Sequence, residues 1–117
     1  MSGSNGAGRA PNELISPETS GAANDALPRM GAAAYSLHGS GIFNADLGQP
    51  GVDASSRVFV SVSEVNPADR KPFLGGAVMT VHNVVPHDDG SVTIRVEVKD
   101  APQDLPIKAS LFYFNGF

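Results

Sequence analysis

Between Arg57 and Phe114 several stretches carry large apolar residues at every second position. In Val92-Thr93-Ile94-Arg95-Val96-Glu97-Val98-Lys99 the aliphatic side chains face one way, and Thr93, Arg95, Glu97 and Lys99 face the other. That period of two is a strand with one buried and one wet face. Arg57 to Ser63 alternates in the same manner, with Val58, Val60 and Val62 in phase. Val78 to Val85 forms the next strand and is joined to the following one through Pro86-His87-Asp88-Asp89-Gly90. Asp-Gly supplies the left-handed position that a tight hairpin turn needs. Ile107 to Phe114 closes the pattern, with Ile107, Ala109, Leu111 and Tyr113 on one side and Lys108, Ser110, Phe112 and Phe114 on the other.

Upstream the signal is mixed. Tyr35 to Phe43 reads as extended, and Gly39 and Gly41 mark a bulge or a close backbone approach. Asn44 to Ser56 reads as turn, punctuated by Gly48, Pro50, Gly51 and Asp53. Asn66 to Pro72 and Asp100 to Pro106 are polar loops. No helical period appears from residue 32 onward, which excludes a doubly wound sheet, a helical bundle and a P-loop fold. The pattern predicts an all-β domain over 32–117, a small antiparallel β-sandwich of about six strands.

Residues 1–31 differ in kind. They are mostly Gly, Ala, Ser, Asn and Pro, with Leu14, Ile15, Leu27 and Met30 as the scattered large apolar residues. Such a segment buries too little surface to offset its ordering entropy alone. It reads as an N-terminal arm that is flexible or is ordered by a partner. Ser16-Pro17-Glu18-Thr19 carries the start signal of one short helix, an N-cap followed by Pro at the first helical position, which Pro28 would end.

The closing strand is apolar on both faces near its end. One face enters the core, and the other, with Phe112 and Phe114, needs a second cover. Either the arm or the Tyr35 to Phe43 segment supplies it within the subunit, or the surface is a subunit interface. Monomers rarely expose contiguous apolar patches, so the reading places an interface at Phe112, Phe114, Tyr35 and Phe43.

Composition narrows the function classes. The chain has 117 residues, enough for one small domain. Eight basic residues against 12 acidic ones give a net charge of -4. Only Arg70-Lys71 are adjacent, so no phosphate-neutralising stripe for nucleic acid exists. The absence of Cys removes disulfides, thiol catalysis and cysteine-ligated metals. No stretch is apolar for long enough to insert into a membrane as a helix. The first residues lack the basic and apolar regions of a secretory signal. The expected location is therefore the cytosol, with non-classical export or incorporation into a particle as the other routes.

Candidate chemistry is thin. His38, His82 and His87 are not spaced as a pair of metal ligands, and no metal or cofactor is expected. Asp88-Asp89-Gly90 lacks the alternating ligands and distal Glu of a calcium loop. His38-Gly39-Ser40-Gly41 sets a hydroxyl near an imidazole without the flanking pattern of a nucleophile elbow. A non-catalytic protein is expected. If it binds a ligand, the candidates are the loop residues Asn66, Asp69, Arg70, His87, Asp88 and Asp89.

The layout from about Ser56 to Asn115 resembles the H-type lectin domain. The residues that carry the resemblance are Val58-Phe59-Val60-Ser61-Val62, the hairpin from Val81-His82-Asn83-Val84-Val85 to Gly90-Ser91-Val92-Thr93-Ile94-Arg95-Val96, and the closing strand Ile107 to Phe114. That family's closing strand usually carries a Trp, and Phe112 stands in its place here. The resemblance implies a six-stranded antiparallel sandwich that assembles as a trimer, and a glycan as ligand. Two functional expectations result. One is a homo-oligomeric structural or accessory subunit whose residues 1–31 dock on a neighbouring copy or a protein partner. The other is a lectin-like recognition module with repeated weak sites that gain from multivalency.

Overall fold

In a computed structural model, residues 14–20 and 30–116 are described. They contain no helix and form two facing sheets. The strands are β1 (Leu14–Ile15), β2 (Thr19–Ser20), β3 (Met30–Gly39), β4 (Gly41–Gly48), β5 (Arg57–Val65), β6 (Pro72–Phe73), β7 (Val78–Pro86), β8 (Ser91–Lys99) and β9 (Leu105–Phe114). One sheet has the order β1-β4-β8-β7 and the other β2-β3-β9-β5-β6. Three of the nine strands are two residues long. The six long ones make the antiparallel sandwich that the alternation predicts, and the short β1–β4 ladder is the parallel exception.

The core is built from the inward phase of each strand. Val92, Ile94, Val96 and Val98 of β8 face Ile107, Ala109, Leu111 and Tyr113 of β9, and all are buried. Tyr35 and Leu37 of β3, with Phe43, Ala45 and Leu47 of β4, complete it. Burying each of these larger side chains contributes about 1.5–3 kcal/mol of transfer free energy. The Tyr35 hydroxyl lies 2.8 Å from the Gly48 carbonyl and 3.1 Å from Gln49 Oε1, so its one polar atom is satisfied inside. Burial, then the neighbouring Tyr113, pushes its pKa up to about 12.

Several expectations change. Asn44 to Gly48 is strand, because Phe43, Ala45 and Leu47 keep a buried phase that its turn-forming residues mask in the sequence. Gly39-Ser40-Gly41 is a corner at which the chain leaves one sheet for the other. A Cβ on Gly39 would sit 2.4 Å from the Phe43 ring, and Gly41 has a φ of +68°. The expected close approach is present, and it serves a change of sheet. The helix start at Ser16-Pro17-Glu18-Thr19 is also corrected, since Thr19 and Ser20 pair with Ala34 and Ala33 as strand.

Residues 14–20, part of the segment read as an arm, link both sheets. Leu14 and Ile15 pair with Asp46 and Leu47 on β4, and Thr19 and Ser20 then pair on β3. Ile15 packs against the core, and the Glu18 N–H donates to the Ala34 carbonyl at 2.6 Å. This short strap occupies the edges of the two strands that flank the Gly39–Gly41 corner. The remaining arm residues, 1–13 and 21–29, lie outside the described residues.

Candidate functional site

The loop residues singled out for binding fall into two groups that the fold separates. Asn66, Asp69 and Arg70 follow β5 at the end of the sandwich where β4 begins. His87, Asp88 and Asp89 lie in the β7–β8 hairpin at the other end, beside Gln49. A strand of β5's length spans roughly 25–30 Å, so the two groups do not share one site.

Most of these side chains are already engaged. Asn66 Oδ1 accepts from the Ala68 N–H at 2.8 Å, and Asp69 Oδ1 accepts from the Lys71 N–H at 3.0 Å. Asp88 Oδ1 accepts from the Ala54 N–H at 2.9 Å, which ties the hairpin to the β4–β5 connection. Asp89 Oδ1 accepts from the Ser91 hydroxyl and N–H, and these bonds hold its carboxyl below the usual range. They are turn-building carboxylates. Arg70, at a positive φ of 62°, pairs with Glu18, and both meet the Ser36 hydroxyl. This clasp joins the β5–β6 loop to the strap.

The outer face of the β4-β8-β7 side carries a paired polar network beside exposed Ile42, Val78 and Val85. Thr93 Oγ1 donates to Asp46 Oδ1 at 2.6 Å and lies 2.8 Å from His87 Nε2. Because the hydroxyl proton goes to the carboxylate, the proton between His87 and Thr93 comes from Nε2. A nucleophile requires the reverse, a hydroxyl aimed at an imidazole that accepts its proton. Arg95 Nε donates to Asn44 Oδ1 at 3.0 Å, and His82 Nε2 lies 2.8 Å from Glu97 Oε1. The Ser40 hydroxyl donates to Asp104 Oδ1 at 2.9 Å, so it too is directed to a carboxylate. Among the described residues no three His, Asp or Glu side chains gather to hold a metal.

The outer face of the β3-β9-β5 side is different. The registers set its outward residues in four rows: Arg57, Phe114 and Met30; Phe59, Phe112 and Ala32; Ser61, Ser110 and Ala34; Ser63, Lys108 and Ser36. Phe59 and Phe112 are 59% and 42% exposed, large fractions for aromatic rings, and Met30 is exposed beside them. Phe59 stacks on Phe114 with centroids 6.1 Å apart, and the Arg57 guanidinium lies 5.9 Å from the Phe114 ring centre. The third row carries only small side chains. It leaves a trough of about 640 Å³ bounded by Phe59 and Phe112 at one end and Lys108 at the other.

Of the four expected interface residues, Phe112 and Phe114 lie on this face. Tyr35 and Phe43 do not, and they are corrected to core residues. Tyr35 is fully buried and Phe43 nearly so, because their strands turn that phase inward. The Tyr35 to Phe43 segment therefore cannot cover Phe112 from outside. Phe59 was missed, although a signal existed: it stands out of phase with Val58, Val60 and Val62 in an otherwise clean alternation. Compared with family models, curated proteins and solved structures, the chain matches none.

Proposed function

We propose that the protein is a non-catalytic assembly subunit, a β-sandwich that associates with copies of itself and docks residues of its N-terminal segment on a neighbour or partner. One observation carries the reading. The outer face of the five-stranded sheet presents exposed Phe59, Phe112 and Met30 as one contiguous apolar strip. Such strips on small domains are covered in the working state. The polar groups that most resemble a catalytic set are consumed by hydrogen bonds of the wrong polarity for nucleophile activation. The lectin resemblance implies three copies. Sedimentation of the full chain, beside a chain lacking residues 1–13, counts the copies and tests the arm. A multiple of 12.1 kDa is expected for the full chain. Loss of the higher mass on truncation assigns the contact to the arm. A single-chain mass at every concentration overturns self-association.

A second reading, lectin-like carbohydrate recognition, draws on one feature of the same face. The trough sets aromatic rings beside the hydroxyls of Ser61 and Ser110 and the Lys108 ammonium. Sugar faces stack on such rings while hydroxyls accept and donate at the edge. This reading moves the ligand from the loops to the sheet. A glycan array probed with the wild-type chain and with Phe112→Ala tests it. Binding that disappears in the variant supports the trough, and no binding across broad sugar classes ends the idea.

A further inference from the structure

We infer that the open side of the sandwich between β3 and β4 is an acceptor site for an extended segment, and that in the assembly it takes residues 14–20 of a neighbouring copy, each chain giving its strap to the next. The inference rests on the assembly reading above and names where the N-terminal segment docks.

The strap is bound as a separate peptide would be. Its pairings are all to distant strands: Leu14 and Ile15 lie along β4, and Thr19 and Ser20 along β3. An extended peptide added to a sheet edge gains main-chain hydrogen bonds, and its side chains give the specificity. Here Ile15 packs against the core, and Glu18 meets Arg70 and Ser36. Pro17 stands between the two short ladders, where the segment passes from one sheet edge to the other and no ladder needs its missing N–H. The site thus recognises an aliphatic side chain and, one proline further on, a carboxylate.

The tether is longer than the strap's own seat requires. Ser20 lies opposite Ala33, so only about 11 Å of strand and strand spacing separate it from Met30. Residues 21–29 can span roughly 30 Å, whereas hairpin loops commonly take about two to five residues. Delivered to a neighbour, the strap makes every contact that it makes at home, so exchange needs no new surface. In a lone chain the tether concentrates the strap at its own site. Among associated copies a neighbour's site comes within the same reach, and exchange then ties the copies together.

The chain has no Cys, so introduced thiols report without interference. Thr19 and Ala34 are direct cross-strand partners, about 5 Å apart at Cα and so within disulfide reach. Full-length Thr19→Cys and Ala34→Cys chains are mixed in equal amounts, reduced, and then oxidised at the concentration where the wild type sediments as an assembly. A covalent pair of twice 12.1 kDa that forms only in the mixture is expected. The double variant is expected to form disulfides between chains. No such pair in the mixture, or a double variant whose disulfides all lie within one chain, overturns the exchange and leaves the assembly reading standing. A wild-type chain that stays single at every concentration overturns both.

Discussion

The two outer faces of the sandwich are made by the same alternation and differ in chemistry. On the β4-β8-β7 side the outward positions hold Asn44, Asp46, Thr93, Arg95 and Glu97, bonded to one another or to His82 and His87, with the aliphatic Ile42, Val78 and Val85 exposed among them. Its polar groups satisfy one another. On the β3-β9-β5 side the outward positions hold Phe59, Phe112 and Met30 beside a row of Ala and Ser. Phe59 stacks on Phe114, yet Phe59 and Phe112 stay largely exposed. The inward phases are alike in kind, so the difference lies wholly in the outward phase. The lesson is that a small sandwich stores its fold in one phase of each strand and its associations in the other.

That division breaks if outward and inward substitutions cost the same. Ile94→Ala and Leu111→Ala, one from each sheet's buried phase, are each expected to lose about 2–5 kcal/mol of stability in urea titrations. Their outward neighbours Arg95→Ala and Ser110→Ala are expected to stay within about 0.5 kcal/mol of wild type. Equal losses within either pair would mean that the faces are part of the fold's support rather than free of it.

The next largest effect sharpens the role of the buried phase. Tyr35, whose burial raises its pKa to about 12, keeps its proton in the folded state well above the usual phenol range. A folded-state pKa above the unfolded value means that its contribution is complete below about pH 10 and is lost as pH climbs through 12. Alkaline melting curves should show a loss on the order of 2 kcal/mol across that window, absent in Tyr35→Phe. An identical alkaline loss in the variant would remove Tyr35 as its cause.

The smallest expected effect concerns the clasp at the polar end of the apolar face. Hydrogen bonding from Ser36 holds the Glu18 carboxyl below its ordinary value of 4.5 against the desolvation that raises it, and the Arg70 hydrogen bond and charge add to the lowering. Its folded pKa is depressed, so the clasp's contribution is present above that value and disappears as pH falls through the folded pKa. The protection of the Glu18 amide, the intrinsic exchange rate at each pH over the observed one, should fall in that acidic window, because its N–H bonds the Ala34 carbonyl. Glu18→Gln should flatten the pH dependence of that protection, and protection that ignores pH in the wild type would show that the strap is held by its strand pairing alone.

The Val92–Lys99 and Ile107–Phe114 strands were legible from the chain because a period of two, with a polar or small residue between aliphatic ones, has one structural meaning. Phe112 and Phe114 were legible as surplus apolar residues for the same reason. The Asn44–Gly48 strand was hidden, since Asn, Asp and Gly carry turn signals that only the burial of Phe43, Ala45 and Leu47 overrides. Likewise nothing local distinguishes a glycine pair that bulges a strand from one that carries the chain between sheets, and at Gly39 the deciding fact is the Phe43 ring against it.

Alternation thus dictated which side of each strand is greasy, because side-chain direction along an extended backbone is a local property. It could not dictate which strands become neighbours. The tertiary structure put Tyr35 and Phe43 inside, sent the Asn66–Arg70 and His87–Asp89 groups to opposite ends, and aligned Phe59 with Phe112 one row from Ser61 and Ser110. Those placements depend on register between segments about 50 residues apart in the chain, and register is set by the collective packing of both sheets rather than by any stretch read alone.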